Sequence, residues 1–538
     1  MYHTAPMPLP VVIRPRRSMI FFAILAILLV IATYVFVILL AAACVVLPYL
    51  LLENSESAPM QLVLLQLFGV VIAGGLLWSL VPRADQFQAP GPVLTREQHP
   101  RLFTEMESIA SSLNEPLPSE VYLIGEVNAW VADRGGVMGF GSRRVMAVGL
   151  PLLSVLTVSQ FRAVLAHEFA HYYGGDTSLG PWVYKTKMAM IRSFRAVGSM
   201  GQLARFYVLA AMHLVVTLIM KGYFMVFMRA ISLISRRQEH RADELACRVA
   251  GSQPLIDGLR TIHGTGPAWP FYWTSEVSPF LNNGVVPELG DGFRRFVNTP
   301  AIAKKIGENV TREMIEGKVG PYDTHPPLRE RIAATQEMER KNGIQTSRAE
   351  DNQLASSLLD HPHDAESGFI YALNPSVARG SLRFVEWDQI ATQVTIPGWK
   401  TTAEEYGDAF EGVTLENIPD AIPKLRDVGA KIADPPGMLL SQDQRTARAG
   451  HVLAVGAALV LLGNGWEVQL APGLFTFQKQ GVELNPFEAV QRLVDGTLSR
   501  EAWTTRCREI GLSDQVLFPV VADQVTPTEN AADQKIRA

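Results

Sequence analysis

Residues 19–52 carry no charged side chain, and neither do residues 60–81. A helix needs roughly 20 apolar residues to cross a ~30 Å hydrocarbon core, where only helices and closed barrels satisfy the backbone. Each run therefore predicts a transmembrane helix, over about 19–47 and 60–81, and residues 1–90 read as a membrane anchor. At ~1.5 Å per residue the first run would extend ~51 Å, so its helix tilts, protrudes or ends before Pro48. It is too long for the apolar core of a cleaved signal peptide, roughly 7–15 residues.

Arg14, Arg16 and Arg17 precede the first run, Glu53 and Glu56 lie between the two, and Arg83 follows the second. The positive-inside rule then puts the N-terminus and everything after residue 81 on the cytoplasmic side. A third apolar region, 206–234, is interrupted by His213, Lys221 and Arg229. Charges at mid-membrane are costly, so it reads as a helix or helical hairpin that dips into or lies on the bilayer. A third and fourth span is the alternative, and a soluble core helix a weaker one.

The chemistry is concentrated in His167-Glu168-Phe169-Ala170-His171. Positions i and i+4 share a helix face, so both imidazoles reach one metal ion while Glu168 lies beside the water it holds. Thr157 and Gln160 have capping-box spacing, and Phe161, Val164, Leu165 and Phe169 give the helix an apolar face. Catalytic zinc takes three protein ligands and keeps one position for water. The segment 236–246 offers Glu239 as the third, with Asp243 one turn later placed to accept a hydrogen bond from the far nitrogen of a zinc-bound His. A charged, solvated helix surface explains that segment equally well when it is taken alone.

Together these segments resemble the zinc metalloprotease family of HtpX-type membrane proteases and CAAX prenyl proteases, in which Glu-x-x-Ala-Asp carries the third ligand; here it is Glu239-His240-Arg241-Ala242-Asp243. Asn128-Ala129-Trp130, followed by the strand-like Arg144–Val148, is similar to the family's Asn-Ala segment and the edge strand before the zinc helix. Thr324-His325-Pro326-Pro327-Leu328-Arg329-Glu330-Arg331 is similar to its His-Pro-Pro…Arg motif. The match covers about residues 95–340, with Trp130 and Tyr172-Tyr173 as departures.

The resemblance implies a mainly α, membrane-anchored zincin of the gluzincin-like type with a small β-sheet, over 91–345, holding one Zn2+ per chain on His167, His171 and Glu239. Glu168 is then the general base, His325 and Arg331 are oxyanion donors, and Asn128 and Ala129 bind substrate. Bracing of a carboxylate behind the site is the other role open to Arg331. The implied activity is that of a zinc metalloendopeptidase acting on polypeptides at the bacterial inner (cytoplasmic) membrane, with its catalytic domain cytoplasmic and membrane-protein quality control as its task. A dedicated protease for one lipidated or signalling substrate, and a membrane adaptor with a structural zinc site, are the alternatives.

A net charge of −4 argues against a nucleic-acid surface, and homo-oligomer formation stays open. Three Cys, at 44, 247 and 507, lack CxxC spacing and suit a reducing compartment. Residues 346–379 are polar and read as a linker that includes Asp360-His361-Pro362-His363-Asp364. From 380 to 525 strand and helix signals alternate, as in a mixed α+β accessory domain: a strand at 466–470, a buried helix over 451–462, and helices after Asn485 and Ser499. Residues 526–538 read as a disordered tail.

Overall fold

Apolar runs without charge become helices because that geometry satisfies every backbone donor and acceptor within the segment. The computed structural model describes residues 17–57, 59–137, 141–172, 180–204, 206–317, 320, 325–342, 351–432, 434 and 439–519. The chain divides into two compact units, one of residues 1–278 and 289–382, the other of 279–288 and 383–538.

In the first unit α1 (Arg17–Glu53) and α2 (Met60–Leu80) form a hairpin. Helix α1 runs through Pro48 rather than ending near residue 47. Proline removes one backbone bond but does not forbid a helix whose apolar sequence continues. The two helices pack closely at Gly69, where an added Cβ would sit 2.0 Å from the Cys44 carbonyl oxygen. A second hairpin, α6 (Gly180–Met200) and α7 (Tyr207–Ala250), packs on the first. The Ser79 and Ser193 hydroxyls meet at 2.5 Å, and Arg192 donates to the Ser79 carbonyl at 3.0 Å. Tyr223 bonds Thr33 at 3.0 Å and stacks on Phe36 at 3.9 Å. Leu40, Phe68, Ile72, Val197 and Met220 fill the shared interior.

The apolar region at 206–234 is thus the first part of one continuous 44-residue helix that also carries Glu239. Helices α6 and α7 run antiparallel, since Phe194 meets Phe224 and the Val197 carbonyl meets His213. The chain therefore returns to the side it left, which lets residues before α6 meet residues late in α7. Among the described residues four helices are long and apolar enough to cross a membrane: α1, α2, α7 and Gln442–Gly463.

The sheet of this unit has the order β1-β2-β4-β3, with β1 at Val93–Leu94, β2 at Glu120–Ile124, β3 at Ala129–Arg134 and β4 at Arg143–Gly149. Here the structure corrects the sequence reading. Arg144–Val148 lies in β4, which pairs with both β2 and β3, so β4 is interior and β3 is the edge. Gly135 and Gly136, with φ of 80° and 65°, turn the chain between β3 and β4. Helix α3 (Pro100–Ser112) and a short helix α4 (Leu150–Val155) flank the sheet, and α5 (Val158–Ala170) follows.

Of residues 346–379, expected as linker, 351–379 are structured within the same unit, which also takes in 380–382. Asp351 N–H donates to the Ser159 hydroxyl at 2.7 Å, and Leu354 forms a bridge to Thr157. Pro362 opens the helix Pro362–Leu373 at a position where its missing N–H costs nothing. Phe369 and Ile370 are buried, and buried Glu366 accepts the backbone N–H groups of Leu289 and Gly290, both at 2.9 Å.

The second unit is built around the helix Gln442–Gly463, opened by a capping box between Ser441 and Gln444. Its face of Val452, Leu453, Val455, Ala457 and Leu461 is buried with Trp399, Phe477 and Trp503, so this apolar helix is a core element. A meander of Glu467–Ala471, Leu474–Lys479 and Val482–Leu484 and the helices Pro486–Val494 and Arg500–Glu509 complete it. Residues 279–288, which the sequence placed in the protease region, add the strand Val285–Pro287, parallel to Arg383–Val385. Residues 526–538 lie outside the described residues.

Candidate metal centre

Helix α5 begins where Thr157 accepts from Gln160 N–H and Gln160 Oε1 accepts in return from Thr157 N–H, a reciprocal cap that fixes the helix start. Phe161, Leu165 and Phe169, all fully buried, seat it in the core. His167 and Glu168 therefore lie on the last turn and His171 at the C-cap. Gly174-Gly175-Asp176, expected to end the helix, lies outside the described residues.

Helix α7 supplies the other half. His167 Nε2 and His171 Nε2 are 3.3 Å apart, His167 Nε2 is 3.4 Å from Glu239 Oε2, and His171 Nε2 is 3.5 Å from Glu239 Oε1. Ligands ~2.0–2.1 Å from a tetrahedral zinc ion are ~3.3–3.4 Å from one another, and these separations lie close to that value, the two to Glu239 ending on its two different oxygens. These three residues are the group able to hold a metal ion among the described residues. Glu239 is 3 % exposed, and Oε2, with His325 Nδ1 at 2.9 Å, takes no hydrogen bond of acceptable angle. A buried carboxylate oxygen left this way fits a cation.

Behind the ligands, Asp243 Oδ1 lies 3.0 Å from His167 Nδ1. Arg331 grips Asp243 through two bonds, Nε to Oδ2 at 2.9 Å and Nη2 to Oδ1 at 2.6 Å. Asp243 is fully buried and Arg331 nearly so. Nε and Nη2 thus brace a carboxylate behind the site, the other role open to Arg331, while Nη1 lies 3.9 Å from Glu239 Oε2. His325 is 64 % exposed at its side chain and touches Glu239, so it stands at the mouth of the site; its neighbour Thr324 lies outside the described residues.

Electrostatics follow from this packing. Burial pushes Glu168 up to about 7, with Glu239 adding to the rise and His167 opposing it. Burial, then the neighbouring His167, hold His171 down at about 4, the neutral form that a metal ligand needs. Burial works against a charge on His167, but hydrogen bonds to Asp243 and Glu239 outweigh it and raise it to about 10. Burial would raise Glu239 and Asp243, yet the neighbouring His167 and His325 imidazoles hold Glu239 low, and Arg331 with His167 holds Asp243 low. In each of these two the ionised state prevails.

Asn128 and Ala129 sit at the start of the edge strand β3. Asn128 Oδ1 accepts from Ala129 N–H and its carbonyl accepts from Gly149 N–H, both at 2.9 Å. Sequence reasoning did not find the tie between sheet and zinc helix: Arg144 of β4 lies 3.8 Å over the Tyr172 ring and pairs with Glu115 at 2.9 Å. The departure at Tyr172 was its visible sign.

Asp243→Asn keeps the shape of the side chain but removes the charge that Arg331 and His167 share. Metal affinity should fall about 10- to 100-fold, the usual effect of losing a partner behind a ligand. Competition against a chromophoric chelator measures it, and an unchanged affinity would refute the assigned role.

Residues 96–339 match Peptidase family M48. Among curated proteins the chain is similar to Protease HtpX of Xylella fastidiosa (strain 9a5c), 27% identical over 222 residues covering 39% of this chain and 62% of the relative. It is similar also to Protease HtpX of Pseudomonas putida (strain W619), 24% identical with 39% and 64% covered, and of Acinetobacter baumannii (strain AYE), 24% identical with 36% and 58% covered. The chain thus spans somewhat under two thirds of the length of these relatives. No solved structure matches it. The resemblance drawn from the sequence motifs is borne out.

Proposed function

We propose that this chain is a membrane-bound zinc endopeptidase that hydrolyses polypeptides at the cytoplasmic face of the membrane, with surplus or misfolded membrane proteins as substrates. The observation that carries the reading is the near-equilateral triangle of His167, His171 and Glu239 with Glu168 on the same helix turn. A structural zinc site has no use for a general base, which weighs against the adaptor alternative.

A zinc ion held there, one per chain, would lower the pKa of its water towards about 7. Glu168, on the same helix turn as the two His, would accept that proton and pass it to the leaving amine. His325, exposed at the mouth, is placed to donate to the developing oxyanion. The β3 edge, beginning at Asn128 and Ala129, is where an extended substrate would add as a further strand. Recognition through the backbone reads little of the side chains, which favours broad specificity.

Hydrolysis of casein compared with that of a short prenylated peptide tests this reading. Broad cleavage of casein supports it, and cleavage confined to the lipidated peptide supports the dedicated processing protease.

Topology is a separate expectation. With the three native Cys replaced, Ser57→Cys should react with a membrane-impermeant thiol reagent in intact cells and Ser441→Cys should not. Labelling at position 441 would contradict the cytoplasmic assignment.

A further inference from the structure

Among the buried polar atoms of α7 that have no hydrogen-bond partner are Ser232 Oγ, Arg236 Nη1 and Glu239 Oε2. At about 100° per residue, Ser232, Arg236, Glu239, His240 and Asp243 fall within an arc of about 100°. Ser232 and Arg236 therefore lie on the helix face that bears Glu239 and Asp243. On α6 the Thr186 hydroxyl is also buried without a partner, and the Phe194–Phe224 contact sets a register that puts Thr186 level with Ser232. Ser232 and Thr186 are both 0 % exposed.

Buried polar groups are normally paired within the protein, and exceptions mark places where water or a ligand completes the set. Arg331 shows the ordinary case, a guanidinium that grips Asp243 through two bonds. Arg236 makes no ion pair and no hydrogen bond among the described residues, although its charge is permanent. It lies one turn before Glu239, between the metal ligands and the apolar half of α7.

We propose that Arg236 is a substrate-binding residue. Its guanidinium takes a carbonyl or C-terminal carboxylate oxygen of the bound polypeptide on the membrane side of the metal. The inference rests on the proteolytic reading above and adds to it the direction in which substrate lies.

The test is steady-state kinetics of the full-length, detergent-solubilised protein on a quenched fluorescent peptide, with free and amidated C-termini. Arg236→Ala should raise KM about tenfold or more, the size of one lost charged hydrogen bond, with kcat and zinc per chain within about twofold of the parent. Arg236→Lys should recover part of the loss. An unchanged KM in a metal-loaded variant overturns the inference alone. A defect seen only in the response to phosphatidylglycerol vesicles, with peptide KM intact, overturns it in favour of a lipid headgroup site. If the unaltered protein cleaves no peptide, the proteolytic reading falls and this inference with it. Should Arg236→Ala lose metal, Arg236→Gln carries the same KM comparison.

Discussion

Glu168→Gln should leave zinc at about one per chain and lower peptide hydrolysis by about two to four orders of magnitude, the usual contribution of a positioned general base. The amide keeps the volume of the carboxylate but cannot accept the proton of the attacking water. His167, His171 and Glu239, which form the ligand triangle, are untouched by the change. Removing the Glu168 carboxyl also relieves the cost of burying it, the main cause of its raised proton affinity, so the variant should be at least as stable as its parent. Metal analysis beside a turnover assay separates the outcomes. Retained turnover would refute the assigned mechanism.

Glu239→Ala should lose metal and activity together. It deletes one vertex of the triangle and leaves His167 and His171 with water in its place, in a site where the carboxylate also balances the charge of the ion. His240→Ala is the matched control, because adjacent helical residues point ~100° apart, and it should retain the metal. If the His240 change alone strips zinc, the third ligand is misassigned. The 44-residue length of α7 matters here. A single rigid element ties Glu239 to the membrane bundle, so the site is assembled only when the hairpin of α6 and α7 brings the chain back to α5.

The parts of this site that were legible in the sequence are those governed by local geometry. His167 and His171 share a face because i and i+4 always do, and the cap at Thr157 fixes where that face begins. Glu239 and Asp243 needed the resemblance, since the charges around them also describe a solvated surface. The edge strand was missed because Ala129–Arg134 lacks a clean alternation of apolar and polar residues, although Gly135-Gly136 before Arg143–Gly149 is a hairpin signal. His213, Lys221 and Arg229 looked like breaks in an apolar run, yet packing against α1 and α6 carries one helix through them. Pro362 was read as a breaker where it is a helix start. The pairing of Val285–Pro287 with Arg383–Val385 joins segments almost a hundred residues apart and leaves no local trace. The same is true of Arg331, whose pairing with Asp243 is a matter of tertiary placement.

The central claim, a hydrolase whose activity depends on zinc at His167, His171 and Glu239, is tested most directly by stripping the detergent-purified protein with a chelator and titrating zinc back during casein hydrolysis. Activity should vanish on stripping and rise in proportion to bound zinc, reaching its plateau at one ion per chain. Casein hydrolysis that persists in the metal-free protein, or zinc that rebinds without restoring it, would contradict the account.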